Sequence, residues 1–193
     1  INPATEEQFV TRAIFAPDDL PEILTRVNAA QAKWAVLDAK TRAGMLHKVA
    51  NRIEATDMTH CAVLMTQEMG KPYPEAIGEV ANCASIFRYF AEMARDDAGR
   101  LAGTTQAGSL QYAQYDPYGV SAHIMPFNFP ILLMCWTVAA SLAAGNGCVV
   151  KPAEATTLST LVFMSVFDDL PADLVACLPG KAATSAALVE SDM

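Results

Sequence analysis

Positive charge is scarce in this chain: its 193 residues carry 13 Lys and Arg against 21 Asp and Glu, a formal net charge of −8. Nucleic-acid binders present a basic stripe, and no such stripe is available here. The same shortage argues against docking on anionic membranes. Cysteine pairs are also missing. Cys61, Cys83, Cys135, Cys148 and Cys177 are odd in number and nowhere within three residues of each other, so no CxxC element of a zinc or redox centre exists. Thiols scattered through apolar segments fit a reducing, cytoplasmic compartment. The first thirty residues lack the basic start and apolar core of a signal peptide, although a chain opening on Ile1 leaves room for a processed leader. No repeat or low-complexity segment occurs. With 52% hydrophobic and 18% charged residues, a packed core is expected. The length suits one domain and part of a second.

Neither glycine-rich phosphate loop, GxGxxG or GxxxxGK[ST], is present, which excludes an ordinary Rossmann dehydrogenase and a P-loop NTPase. His47 and His60 have no Cys or carboxylate at metal-ligand spacing, and His123 falls inside an expected strand as a core or edge residue. No metal site is expected. The uncharged run from Ile124 to Val150 resembles a membrane span only superficially. Pro126, Asn128 and Pro130 interrupt its start and Gly145-Asn146-Gly147 its end, leaving Ile131 to Ala144, shorter than the ~20 residues a bilayer requires. A helix apolar all round also suits the interior of an α/β protein.

Hydrophobic spacing predicts helices over residues 18–36, about 40–56, 59–69 and 74–97, so residues 1–98 read as a largely helical part. Phe9 to Ile14 is a candidate strand. Gly103, Thr104, Thr105 and Gly108 mark a loop-rich link, and Ser109 to Tyr115 is expected to form one arm of a hairpin turning at Asp116-Pro117. Residues 99–117 therefore form a small β arm, which needs another domain or subunit to pack on. Residues 118–193 alternate strand and helix: strands at Gly119–Met125, Gly147–Val150 and Leu174–Leu178, helices at Phe129–Ala144, Thr157–Asp168 and from Ala182. This alternation predicts an α/β fold, a parallel sheet with helices on both faces. Ligands of such sheets bind beyond the carboxyl ends of the strands.

After the first strand comes Met125-Pro126-Phe127-Asn128-Phe129-Pro130. An amide held between aromatics and prolines offers donors in a stiff setting, suited to a developing oxyanion; a capping or turn Asn is the alternative. The second strand is followed by Lys151-Pro152-Ala153-Glu154. Lys151 and Glu154 suit the hydroxyls of a ribose, and Glu154 would repel a 2′-phosphate, favouring NAD over NADP; a solvated ion pair is the alternative. Pro179-Gly180 ends the third strand as a turn.

Together these residues resemble the aldehyde dehydrogenase superfamily. Gly119-Val120, the Pro126–Pro130 block, Ala143-Ala144-Gly145-Asn146 and Lys151–Glu154 follow the order of its PxGV, PWNFP, LAAGN and KPAE blocks. Upstream, Ile1–Thr5, Glu68-Met69-Gly70-Lys71-Pro72 and Glu75–Val80 match its NPAT, ETGKP and EAxxEV stretches. The resemblance spans the whole chain. It implies a Rossmann variant without the glycine fingerprint, with Asn128 as the oxyanion donor. The backbone of Ile124, Met125, Pro126 and Phe127 would lie beside the nicotinamide ribose, and Lys151 and Glu154 beside the adenosine ribose. It implies NAD as cofactor, an aldehyde as substrate, thiolate attack giving a thiohemiacetal, and a homodimer or homotetramer joined through the β arm. It further implies that the nucleophilic Cys and a general-base Glu lie beyond Met193, in a catalytic domain this sequence does not contain. Phe127 replaces the usual Trp, and Thr137 stands where some members carry a Lys. A degenerate homologue acting only in nucleotide binding or assembly is the competing expectation.

Overall fold

The computed structural model describes residues 1–96, 99–103 and 106–191. Four helices lead the chain: α1 (Leu20–Ala35), α2 (Ala39–Ala55), α3 (Thr59–Met69) and α4 (Tyr73–Met93). Local chemistry sets their ends. Asp38 caps α2 by accepting from Thr41 N, and Gly70, at φ 82°, closes α3 in the left-handed conformation that glycine adopts without strain. Pro72 forces the break before α4. The helix expected over 74–97 ends at Met93, and residue 97 lies outside the described residues.

Two short strands, β1 (Gly99–Ala102) and β2 (Gln111–Gln114), pair antiparallel with Gly99 opposite Gln114. This corrects the expected hairpin. The partner of the 111–114 strand precedes it, and Asp116-Pro117 is not its turn. Pro117 instead lies against Gly145, where an added Cβ would stand 3.2 Å from the ring. Thr104 and Thr105 of the expected link lie outside the described residues. The strand expected at Phe9–Ile14 is absent: that stretch is largely exposed and finds no ladder partner, and only Phe15 N bonds across, to Pro179 O at 2.6 Å.

The remainder alternates as expected: β3 (Val120–Ile124), α5 (Pro130–Ala143), β4 (Gly147–Lys151), α6 (Thr157–Phe163), β5 (Val175–Cys177) and α7 (Ala182–Glu190). The helix expected over 157–168 tightens into a 3₁₀ turn at Met164–Phe167. β3, β4 and β5 form one parallel sheet in that order, with Val120 opposite Gly147 and Ile124 opposite Lys151.

Strand alternation sorts the sheet's two faces. Val120, Ala122, Val149 and Ala176 meet Leu20, Val27 and Leu188 of α1 and α7. Cys148 and Val150 meet the larger core of Met134, Cys135, Val138 and Leu142 on α5, backed by α2 and α4. Helix α5 thus has the sheet on one side and two helices on the other. This explains why its sequence is apolar all round, and at 14 residues it is too short to span a bilayer. Among the described residues no helix is long and apolar enough to cross a membrane.

Candidate functional site

The carboxyl ends of β3 and β4 stand side by side, and the expected site residues follow directly from them. Ile124 and Lys151 are register partners, and Met125 N extends the ladder to Lys151 O at 2.9 Å. Alternation places both side chains on the sheet face that carries α1 and α7. Lys151 is only 6% exposed, yet it makes no ion pair among the described residues. Glu154 is exposed and opens a 3₁₀ turn (Glu154–Thr156). Lys151 and Glu154 do not form the ion pair that was their alternative reading, and among the described residues neither charge has another ion-pair partner.

The segment from Pro126 to Phe129 is exposed, with Phe127 at 59% and Phe129 at 42%, while Met125 beneath it is buried. Asn128 sits within this turn and its carboxamide makes no hydrogen bond among the described residues. Nor does it cap α5. Phe129 occupies the N-cap position and has no side-chain acceptor, and Pro130 at the first helical position has no N–H. The next two donors, Ile131 N and Leu132 N, both go to one oxygen of Glu79, at 2.9 and 3.0 Å. A carboxylate from α4 has therefore taken the capping role, and the Asn128 amide is left unspent. The turn of Lys151–Glu154 has a parallel arrangement. Glu68 of α3 accepts from Leu158 N and, at 2.9 Å, from Ser159 N at the start of α6. Burial raises the Glu68 pKa above the ordinary value, against the opposing pull of these two N–H groups.

Glu68, Glu79 and Lys71 had no individual role in the sequence reading. Glu79 lies with Ala76, Val80 and Cys83 on the buried stripe of α4. A carboxylate within an apolar stripe demands buried partners, and that was the available signal.

The remaining candidates are structural. His123 Nε2 lies 2.9 Å from Ser121 Oγ, which also meets Ser141 Oγ at 2.6 Å; burial pushes the imidazole down to about 4. All five cysteines are free. Burial pushes the Cys61, Cys148 and Cys177 thiols up to about 12, and raises Cys135 with help from Cys83. None of these four is an activated nucleophile. Among the described residues no group of three His, Cys, Asp or Glu is placed to hold a metal ion.

The sequence profile of the aldehyde dehydrogenase family matches residues 1–193. Retinaldehyde dehydrogenase 3 of Rattus norvegicus is 35% identical over 199 residues, covering 98% of this chain and 38% of that protein. Acetaldehyde dehydrogenase 2 of Cupriavidus necator is 37% identical, covering 87% and 33%. An aldehyde dehydrogenase structure from Brucella melitensis superposes with a TM-score of 0.93 at 34% identity, covering 99% of this chain and 40% of that one. PnpE in complex with nicotinamide adenine dinucleotide superposes at 0.92 with 33% identity, covering 99% and 40%. An E. coli structure described as an NADP dependent enzyme superposes at 0.92 with 31% identity, covering 98% and 40%. The chain thus spans between about a third and two fifths of the length of these relatives. With the profile matched from end to end and the fold shared, the chain belongs to the aldehyde dehydrogenase family.

Proposed function

We propose that this chain supplies the cofactor-facing part of an NAD-dependent aldehyde dehydrogenase, which oxidises an aldehyde to a carboxylic acid. The observation that carries the proposal is the Asn128 carboxamide. It is exposed at the carboxyl edge of the sheet, in a turn stiffened by Pro126 and Pro130, and has been relieved of capping by Glu79. A preorganised donor with no other partner is what charge developing on an aldehyde oxygen needs. The thiolate that attacks the aldehyde carbon to give a thiohemiacetal is assigned to another part of the protein, since Cys61, Cys83, Cys135 and Cys148 are buried away from the Asn128 turn's surface and burial raises the Cys177 thiol.

The residues at the strand ends fit a dinucleotide. Lys151 brings an ammonium group and Glu154 a carboxylate, neither in an ion pair among the described residues, and the backbone from Ile124 to Phe127 runs beside them off the end of β3. Lys151 and Glu154 would hold the adenosine ribose, and the 124–127 backbone the nicotinamide side. Bound NAD supplies the hydride acceptor. Glu154 supports NAD over NADP, because its carboxylate accepts from a free 2′-hydroxyl and repels a 2′-phosphate. The proposal extends to a cytoplasmic homodimer or homotetramer. The β1–β2 arm supports this by exposing Leu101 (71%), Leu110 (74%) and Tyr112 (68%), more apolar surface than two strands can bury alone.

The test is aldehyde-dependent reduction of NAD by the complete protein and its Asn128→Ala variant. Turnover is expected in the parent and a fall of about 10²–10³ in kcat in the variant, the usual loss for one oxyanion donor. Undiminished kcat in the variant overturns the assignment of Asn128.

A further inference from the structure

The Asn128 turn is held from beneath by two buried charges that never reach its surface. Glu79 has a side chain 0% exposed and Lys71 one 5% exposed, and they form an ion pair through Glu79 Oε2. The other carboxylate oxygen, Oε1, takes Ile131 N and Leu132 N, the donors immediately following Pro130. Lys71 Nζ lies 3.8 Å from the centre of the Phe129 ring, a cation–π contact with the residue next to Asn128. One charge thus grips the main chain just after the turn and the other grips the ring within it.

Replacing a buried ion pair by apolar side chains is often neutral or stabilising, so stability alone is a weak reason to bury one. Placement is a stronger one. The pair is anchored on α4 and on the Gly70–Pro72 break before it, and its contacts with Phe129, Ile131 and Leu132 all fall within four residues of Asn128. The dipole of α5 adds to the hold, because its positive end faces Glu79.

We propose that Glu79 and Lys71 are positioning residues for the Asn128 carboxamide: they fix Phe129, Ile131 and Leu132 and thereby set where that amide stands, without touching substrate. This rests on the reading of Asn128 as an oxyanion donor. Glu79 acts through two main-chain N–H groups, so it fixes backbone position. Lys71 acts through Glu79 and the Phe129 ring, so it fixes the tilt of the turn. A displacement of about 1 Å at such a donor is enough to cost up to about 10²-fold in rate.

The test is a pair of double-mutant cycles in the complete protein, with NAD and an aldehyde that the parent oxidises. Glu79→Gln and Lys71→Met are each made alone and combined with Asn128→Ala, and kcat and the KM for NAD are measured for all. In the parent background each variant is expected to lower kcat by about 10–10²-fold while the KM for NAD stays within about twofold. In the Asn128→Ala background the same changes are expected to cost less than about twofold, because the group they position is gone. Equal losses in both backgrounds, or no loss in the parent, overturn the inference and leave the role of Asn128 standing. Full turnover by Asn128→Ala alone is a separate result, which overturns that role and the inference with it. If Glu79→Gln does not fold, Lys71→Met carries the cycle, since Glu79 then keeps both N–H donors and the helix end.

Discussion

The indole Nε1 of Trp34 donates to the main-chain carbonyl of Leu142 at 2.8 Å, across 108 residues of sequence. This bond closes the carboxyl end of α5. Arg42 Nε donates to Ala143 O at 3.2 Å, so two side chains from α1 and α2 reach carbonyls of the helix's last turn, and Gln31 Nε2 holds the turn just after it by donating to Gly145 O at 3.1 Å. Trp34 is fully buried, so Trp34→Phe leaves a void and removes the indole bond to Leu142 O, which still accepts from Gly145 N at 3.0 Å. The expected loss is about 2–4 kcal/mol of stability, read as a lower denaturation midpoint. A loss below about 1 kcal/mol would show that the site relaxes around the smaller ring.

Cofactor choice is expected to follow Glu154. With Glu154→Ser the repulsion of a 2′-phosphate is removed and a ribose acceptor weakened, so the ratio of kcat/KM for NAD over NADP should fall roughly tenfold or more, the scale of one hydrogen bond to a charged group. An unchanged ratio would assign the preference to other residues.

Three buried thiols, Cys61, Cys135 and Cys148, and the half-buried Cys177 should be silent to alkylation. At pH 8 a thiol pushed up to about 12 carries almost no thiolate, which applies to Cys61, Cys148 and Cys177, and burial acts on Cys135 in the same direction. Iodoacetamide applied for minutes to the folded protein is expected to modify none of these four and, after urea, all of them, as peptide mapping by mass spectrometry would read. Rapid native labelling of Cys135 would contradict its placement in the core.

His123 links stability to pH. Its folded value of about 4 lies below the ordinary 6.5 because burial disfavours the imidazolium. Between those values the unfolded chain holds a proton that the folded chain does not. Stability is therefore complete above about pH 6.5, falls as pH drops toward about 4, and this contribution then levels off. The full span is worth about 3 kcal/mol. His123→Gln is expected to lose less melting temperature than the parent between pH 7 and pH 4.5. Equal losses would mean that other groups set the acid limit.

Most of the fold could be read from spacing alone. Val27, Ala30 and Trp34 recur at helical intervals and are buried on α1, and the strand–helix alternation after Gly119 appears with ends shifted by at most one residue, except that α6 stops at Phe163 and continues as a 3₁₀ turn. Residues 111–114 lack an upstream strand signal, because Gly-Arg-Leu-Ala has weak β character and its four residues become a strand only by pairing. Phe9–Ile14 shows the converse: apolar residues without a neighbouring edge remain extended and unpaired. In the site, Asn128 was visible as an amide among prolines and aromatics. Its freedom from capping was not, because that depends on a carboxylate at Glu79, 52 residues earlier.

The capping of α5 from both ends also bears on synthesis. Gln31, Trp34, Arg42 and Glu79, which hold this helix and the turn after it, all precede it in the chain, Glu79 by 52 residues from Ile131, while Asn146 Nδ2 donates to Ser141 O from just beyond it. At the usual 5–20 residues per second, Glu79 leaves the ribosome roughly 3–10 s before Ile131. Helices form in microseconds or less, so α1 to α4 have ample time to assemble into a cradle. The most apolar helix of the protein then emerges into a groove already fitted with acceptors for its first N–H groups and donors for its last carbonyls. Vectorial translation in this order shortens the interval in which α5 is exposed to chaperones or to other nascent chains.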